Sequence, residues 1–287
     1  MNLRISRLRR VRFSGVLAAV ILLAMAAFCM LPLYYMVIAA LKPLEEQLVF
    51  PPLFYVRRPV MQNFSELFGS LNSAEVPFSR YIFNSIITAG ASVAGSVIVC
   101  SMAAYALSKI RVKGGNIIFS VIVASLMFSA QVTQIPTFII TKSINLVDTY
   151  WALILPKIAV AYNMFLLKQF ADQIPDPLLE AATIDGAGEW KCYWRIVMPA
   201  MRPAWAAVIV LSFVANWNDY FSALIFMQSD QLKTLPLAIQ LISQSGNVAT
   251  LGITAAATVV MTLPTIVIYS IMQSGVVKSM AYSGIKG

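Results

Sequence analysis

Glu180-Ala181-Ala182-Thr183-Ile184-Asp185-Gly186-Ala187-Gly188, followed by Trp190, Tyr193, Ile196 and Pro199, is a polar, glycine-broken stretch between two strongly apolar runs. Just ahead of it, Asp176-Pro177 predicts a helix start. Asp176 would be the N-cap and Pro177 the first helical residue, where a missing donor costs nothing. Glu180 falls in the first turn, where the helix dipole favours a carboxylate. Ala181 and Ala182 leave a flat surface that another molecule can approach closely. Gly186 and Gly188 are expected to break the helix, because glycine accepts the positive φ of tight turns. A second short amphipathic helix carrying Trp190, Tyr193, Trp194 and Val197 should follow and end at Pro199. Such a helix–turn–helix serves either as a docking surface or as an interfacial hairpin with Trp and Tyr at headgroup level.

The surroundings decide the class. Of 287 residues, 59% are hydrophobic and 11% charged, and the mean hydropathy is +0.77. Soluble domains have roughly 25% charged and 45–50% apolar residues, so a multi-span membrane protein is expected. Apolar runs long enough to cross about 30 Å of hydrocarbon occupy 14–41, 81–108, 116–140, 150–170, 204–227 and 251–273. The fold expected is therefore all-α and polytopic with six transmembrane helices. It divides into a basic N-terminal segment (1–13), a membrane domain (14–273) with loops at 42–80 and 171–203, and a tail (274–287). A basic start followed by Ala24-Met25-Ala26 loosely fits a signal peptide, but the apolar run continues to Leu41, so an uncleaved anchor span is preferred.

Basic residues orient the chain. Arg4, Arg7, Arg9, Arg10, Arg12, Lys109, Arg111, Lys113, Lys168, Lys191, Arg195, Arg202, Lys278 and Lys286 fall on one side of the six runs. Lys42, Arg57, Arg58, Arg80, Lys142 and Lys233 fall on the other, and Lys157 lies within a run. The positive-inside rule places both termini and the Glu180 loop in the cytoplasm, so the net charge of +9 records topology and calls for no nucleic-acid partner. Histidine is absent, which removes imidazole acid–base chemistry. Cys29, Cys100 and Cys192 match no disulfide framework or metal-ligand spacing.

Glu180-Ala181-Ala182, Asp185-Gly186-Ala187, Ile196 and Pro199 match the loop signature of permease subunits of bacterial ABC importers. Ile174-Pro175, Asn145-Leu146-Val147-Asp148-Thr149, Asn216-Trp217-Asn218 and the ending Gly284-Ile285-Lys286-Gly287 extend the match over almost the whole chain beyond the first run. Together they resemble the maltose-type carbohydrate permeases, specifically the six-span partner of a two-permease pair. Met198 and Tyr193 stand where that family usually has leucine and phenylalanine, mild departures in volume.

The resemblance implies a type I ABC importer permease fold in the bacterial inner membrane. It also implies a coupling helix, docked into an ATP-binding subunit through Glu180, Ala181, Ala182, Asp185, Gly186, Ala187, Ile196 and Pro199. The tail residues Gly284, Lys286 and Gly287 would reach the interface between two ATP-binding subunits. Further partners implied are a second permease and an extracytoplasmic solute-binding protein, with ATP and Mg bound on partner subunits and no cofactor on this chain. The sequence holds no Gly-x-x-x-x-Gly-Lys-Ser/Thr phosphate loop, so ATP hydrolysis is expected elsewhere and no catalytic or metal residue is assigned.

Polar residues inside the runs are candidates for the solute pathway. Sugars are neutral and rich in hydroxyls, so amides, hydroxyls and aromatic faces suit them. Gln131, Gln134, Asn163, Trp217, Asn218 and Tyr220 supply these, although hydrogen bonding between helices explains each one equally well. The resemblance also allows substrate contacts to fall mostly on the other permease. Asp219 either faces a cavity or partner, or marks the end of its span. Lys157, ~10 Å into its run at 1.5 Å per residue, either snorkels outward, the preferred reading, or pairs with a carboxylate such as Asp219. Two other functions fit less well: an ABC permease for another solute such as glycerol phosphate, and a secondary transporter acting alone. The second has few ionisable residues in its spans for proton coupling and no visible inverted repeat.

Overall fold

The computed structural model describes residues 13–69, 76–110 and 112–284, and every regular element among them is helical. The first apolar run is one helix, α1 (Phe13–Leu41). Two short helices, α2 (Leu44–Gln47) and α3 (Gln62–Gly69), lie in the first loop, and the second run is α4 (Phe78–Lys109). The third run is split into α5 (Gly115–Ser125) and α6 (Ala130–Ser143), with Ser129 in extended backbone between them. Neither piece, at 11 and 14 residues, reaches across a bilayer at 1.5 Å per residue. The expected unbroken span at 116–140 is therefore corrected to a broken one, and Pro136 removes a further backbone donor inside α6.

The fourth run is α7 (Tyr150–Ile158) and α8 (Ala161–Asp172). Next come α9 (Asp176–Ile184), α10 (Glu189–Cys192), a π-helical turn over Tyr193–Val197 and α11 (Met198–Ala200). The fifth run divides into α12 (Arg202–Trp217) and α13 (Tyr220–Phe226). α14 (Leu235–Gln244) fills the next loop, and α15 (Leu251–Gly284) closes the chain. By length and apolarity four spans among the described residues can cross a membrane, or five if the 75° bent pair Glu189–Ala200 and Arg202–Trp217 counts as one. The six apolar runs thus survive as runs, while helix breaks at 126–129, 159–160 and 218–219 interrupt three of them.

α4 is the spine of the bundle and packs on α7, α8 and α12, while α15 packs on α1 and α12. Its buried face carries Ser85, Thr88, Ser92, Ser96 and Ser101, small residues that let helices approach where lipid offers no hydrophobic drive between them. At the basic end Cys100, Ala104, Leu167, Tyr193, Val197 and Ala204 form one core. At the opposite end Phe78, Ala89, Phe213, Trp217, Leu235 and Ala256 form another.

The first loop is tied down at that opposite end. The last carbonyls of a helix have no partner within it, and those at the end of α1 and just beyond it are met by the Val60 N–H, which donates to Leu41 O at 2.9 Å, and by side chains. Asn63 Nδ2 donates to Ala40 O (2.8 Å) and to Lys42 O (2.9 Å), and Gln47 Nε2 donates to Lys42 O (3.1 Å). Lys42, counted in the sequence as an ordinary loop charge, is only 2% exposed. Its ammonium donates to Leu53 O and lies 5.4 Å from the centre of the Tyr35 ring.

Candidate functional site

The Glu180 stretch forms the hairpin that its sequence predicts, with three differences. Asp176 is not the cap: Pro175 occupies that position and Asp176 opens α9, where it pairs with Lys109 Nζ at 2.7 Å. Gly186 alone has positive φ, at +78°, whereas Gly188 has φ −75° and simply precedes α10. Pro199 does not end the second helix. The π turn over Tyr193–Val197 widens the helix just before Pro199, where an α-turn would clash with the carbonyl four residues back. The chain instead bends at Met201, between α11 and α12.

Around Gly186 the backbone closes a Schellman turn. Ala187 N–H donates to Ala182 O (2.9 Å) and Gly186 N–H to Thr183 O (3.0 Å), which satisfies two end carbonyls of α9. The hairpin is then fixed to the end of α4. Lys109 Nζ also donates to Ile174 O at 2.5 Å, Tyr105 Oη donates to Glu189 Oε2 at 2.5 Å, and Tyr193 Oη shares a 2.7 Å bond with Ser101 Oγ. Tyr193 and Val197 are buried beneath it.

On the outer surface Glu180, Ala181, Asp185 and Gly186 are exposed, Ala182, Ala187 and Ile196 are half-buried, and Pro199 is exposed. Ile184, which the sequence did not single out, is 86% exposed at the tip, with Leu178 and Trp190 also exposed. A cavity of about 450 Å³ opens beside it between α4, α9 and α10, lined by Lys109, Glu180, Thr183 and Ile184 among others. Of the tail, Gly284 ends α15, and Lys286 and Gly287 lie outside the described residues.

The pathway candidates separate into two groups. Asn163 is 3% exposed; its amide donates to Ser96 Oγ (2.8 Å) and to Ser212 Oγ (2.7 Å), which joins α8 to α4 and α12. Trp217 is 1% exposed, donates to Met261 O at 2.8 Å and stacks on Phe213. These two occupy helix–helix contacts. Gln131, Asn218 and Tyr220 are exposed, and Gln134 keeps a buried side-chain oxygen with no partner among the described residues. Lys157 does not snorkel: its ammonium lies 2.6 Å from Asp219 Oδ2, because the break after Trp217 swings that carboxylate toward α7. Among the described residues no His, Cys, Asp and Glu cluster is arranged to hold a metal.

A bundle of apolar helices, broken in three of its six runs and carrying a rigid polar hairpin at its basic end, is the build of a polytopic membrane permease subunit. The chain belongs to the family of binding-protein-dependent transport system inner membrane components, whose pattern matches residues 5–282. It is 32% identical over 256 residues to the sn-glycerol-3-phosphate transport system permease protein UgpE of Yersinia enterocolitica, covering 88% of this chain and 90% of that one. It is 30% identical over 259 residues to the arabinooligosaccharides transport system permease protein AraQ of Bacillus subtilis, covering 89% and 90%. A chain of a bacterial ABC transporter that imports the acidic polysaccharide alginate shares the fold with a TM-score of 0.79 at 24% identity, over 93% of this chain and 97% of that one.

Proposed function

We propose that the chain is the membrane-spanning permease subunit of an ATP-driven importer that moves a sugar or sugar-like solute into the cytoplasm by alternating access. The observation that carries this reading is the hairpin. It is locked to α4 by polar contacts from Lys109, Tyr105 and Ser101, yet turns Glu180, Ala181, Asp185 and Ile184 outward. An exposed apolar tip on a rigid mount suits insertion into a cleft of an ATP-binding subunit. Movement of that subunit would reach α4 through those contacts. The basic end is then cytoplasmic with both termini, and 42–80 is extracytoplasmic. Partners are a second permease, two ATP-binding subunits that carry ATP and Mg, and a solute-binding protein. Gln131, Gln134, Asn218 and Tyr220 face the solute path, while Asn163 and Trp217 hold helices together.

A carbohydrate is favoured because Lys157, the lysine deep in the fourth run, is paired with Asp219, which leaves amides, hydroxyls and an aromatic face for a neutral solute. The glycerol-phosphate relative supports a second reading, an anionic solute. The test is to purify the chain from native membranes in mild detergent, identify what accompanies it, and assay ATPase activity with its binding protein. The binding protein would be offered neutral oligosaccharides or sn-glycerol-3-phosphate. Stimulation by an oligosaccharide supports the first reading and stimulation by the phosphate the second. Recovery of the chain alone, without ATPase, would overturn both.

A further inference from the structure

Two neighbouring spans are broken at points that meet in space. In the fourth run α7 stops at Ile158 and α8 resumes at Ala161; in the fifth α12 stops at Trp217 and α13 resumes at Tyr220. In hydrocarbon a broken helix exposes backbone groups that need new partners. At the first break Cys100 Sγ donates to Ile158 O at 3.4 Å. At the second Asp219 Oδ1 accepts from Ser222 N–H at 3.0 Å and caps α13. The other oxygen of the same carboxylate takes the Lys157 ammonium at 2.6 Å, one residue before α7 ends. One carboxylate therefore starts α13 and ties it to the last turn of α7. Gly95 of α4 lets the spine close on this region, since an added Cβ there would lie 2.8 Å from Ile158 Cγ1.

Among the exposed residues beside this junction, the polar ones at the second break are Asn218, immediately before the carboxylate, and Tyr220, immediately after it, while the exposed Ala159 and Val160 at the first are apolar. We propose that Lys157 and Asp219 are positioning residues for translocation: their ion pair holds the two broken spans in register and so sets where Asn218 and Tyr220 stand on the solute path. This rests on the reading of Asn218 and Tyr220 as path residues. An ion pair serving packing alone would be replaceable by apolar side chains of similar volume, often without loss. A positioning pair would not, because the orientation of α13 follows from the charge contact.

The test reads position directly and needs no identified solute. Asn218→Cys and Tyr220→Cys are placed separately in the full chain in native membrane vesicles, and labelling by a membrane-impermeant methanethiosulfonate is timed against a parent with only Cys29, Cys100 and Cys192. The expected result is that Lys157→Gln, on a different span, changes the labelling rate at N218C fivefold or more. The exchanged pair Lys157→Asp with Asp219→Lys should restore it to within twofold. An unchanged rate in K157Q overturns the proposal, as does an unrestored rate in an exchanged pair that inserts normally. Should K157Q fail to insert, the pair Lys157→Met with Asp219→Leu gives the same reading, and parent-like labelling there overturns it. No labelling at either cysteine refutes the path reading and the proposal with it, whereas labelling insensitive to residue 157 refutes the proposal alone.

Discussion

Replacing Gly186 with valine puts the hairpin to a quantitative test. Gly186 has φ +78°, and a Cβ built there meets nothing within 4 Å, so the cost of substitution is conformational rather than steric. An L-residue held in the left-handed region loses about 1–2 kcal/mol, with a β-branched one at the upper end. The alternative is for the turn to relax to negative φ, which sacrifices the bonds from Ala187 N–H and Gly186 N–H at 2.9 and 3.0 Å. Those are worth about 1 kcal/mol each. The cheaper route prevails, so the native turn loses about 2 kcal/mol, roughly a thirtyfold shift in its population at 1.4 kcal/mol per decade. Gly186→Asn should cost least in this series, since asparagine enters the left-handed region, and alanine should fall between. Gly188→Ala is the control: its φ of −75° suits any residue and its Cβ would also point into open space. The assay is recovery of ATPase activity with the affinity-purified chain, corrected for the amount inserted in the membrane. G186V should lose tenfold or more and G188A less than twofold. Equal behaviour of the two, or parent-level recovery with G186V, would refute the hairpin argument.

Three further outcomes follow from other parts of the structure. Gly252→Ala would bring a Cβ to 2.5 Å from Gln47 Nε2 and 2.6 Å from Asn63 Cγ, displacing the side chains that cap α1. Overpacking of this kind costs about 1–3 kcal/mol, and should appear as a lower melting temperature in detergent, while Gly69→Ala, with nothing within 4 Å, should leave it unchanged. Asn163→Leu removes the donors to Ser96 and Ser212; at about 0.6–2 kcal/mol per interhelical bond it should lower the same melting temperature without changing the exposure of N218C. Asp148 sets a pH limit: burial pushes its carboxyl up, but the Ser229 hydroxyl and the Ser229 and Gln228 amides outweigh this and hold it below its ordinary 3.8. Its stabilisation of the 226–229 loop is then fully present above 3.8 and is lost as pH falls through the depressed value. Hydrogen exchange at Gln228 and Ser229 should accelerate there beyond its intrinsic pH trend, and Asp148→Asn should abolish that step.

The parts of this molecule that could be read from its sequence are those decided within a few residues. Gly186 follows from local turn chemistry, and the hairpin's two arms follow from Asp176-Pro177 and the aromatic spacing of Trp190 and Tyr193. The contacts that make the hairpin rigid could not be read this way. Lys109 meets Ile174 across 65 positions, Tyr105 meets Glu189 across 84, and Ser101 meets Tyr193 across 92. No periodicity within one segment signals such pairs, and Lys109 carried information only as a charge beside a span. The break in the third run was hidden for a different reason. Leu126, Met127 and Phe128 are as apolar as the helices on either side, so hydropathy reports one crossing where the backbone makes two pieces. Lys157 was misread because a lone cation in an apolar run has a cheap local escape in snorkelling, and only tertiary structure shows Asp219 within reach.

The distribution of these contacts bears on how a permease of this build can move. At the basic end the hairpin, α4 and the core around Cys100 and Val197 are joined by both packing and polar bonds. At the opposite end the loop after α1 is held by Asn63 and Gln47, and Asp148 receives Gln228 and Ser229. Between these ends the fourth and fifth runs are interrupted, at Ala159-Val160 and Asn218-Asp219. A packed end resists graded deformation because close-packed cores have few soft modes, whereas a helix break concentrates the dihedral change of a hinge in two or three residues. A push delivered to the proposed docking hairpin would therefore pass along α4 as a rigid body and be taken up at the two breaks. The Lys157–Asp219 pair sits where that bending would be greatest.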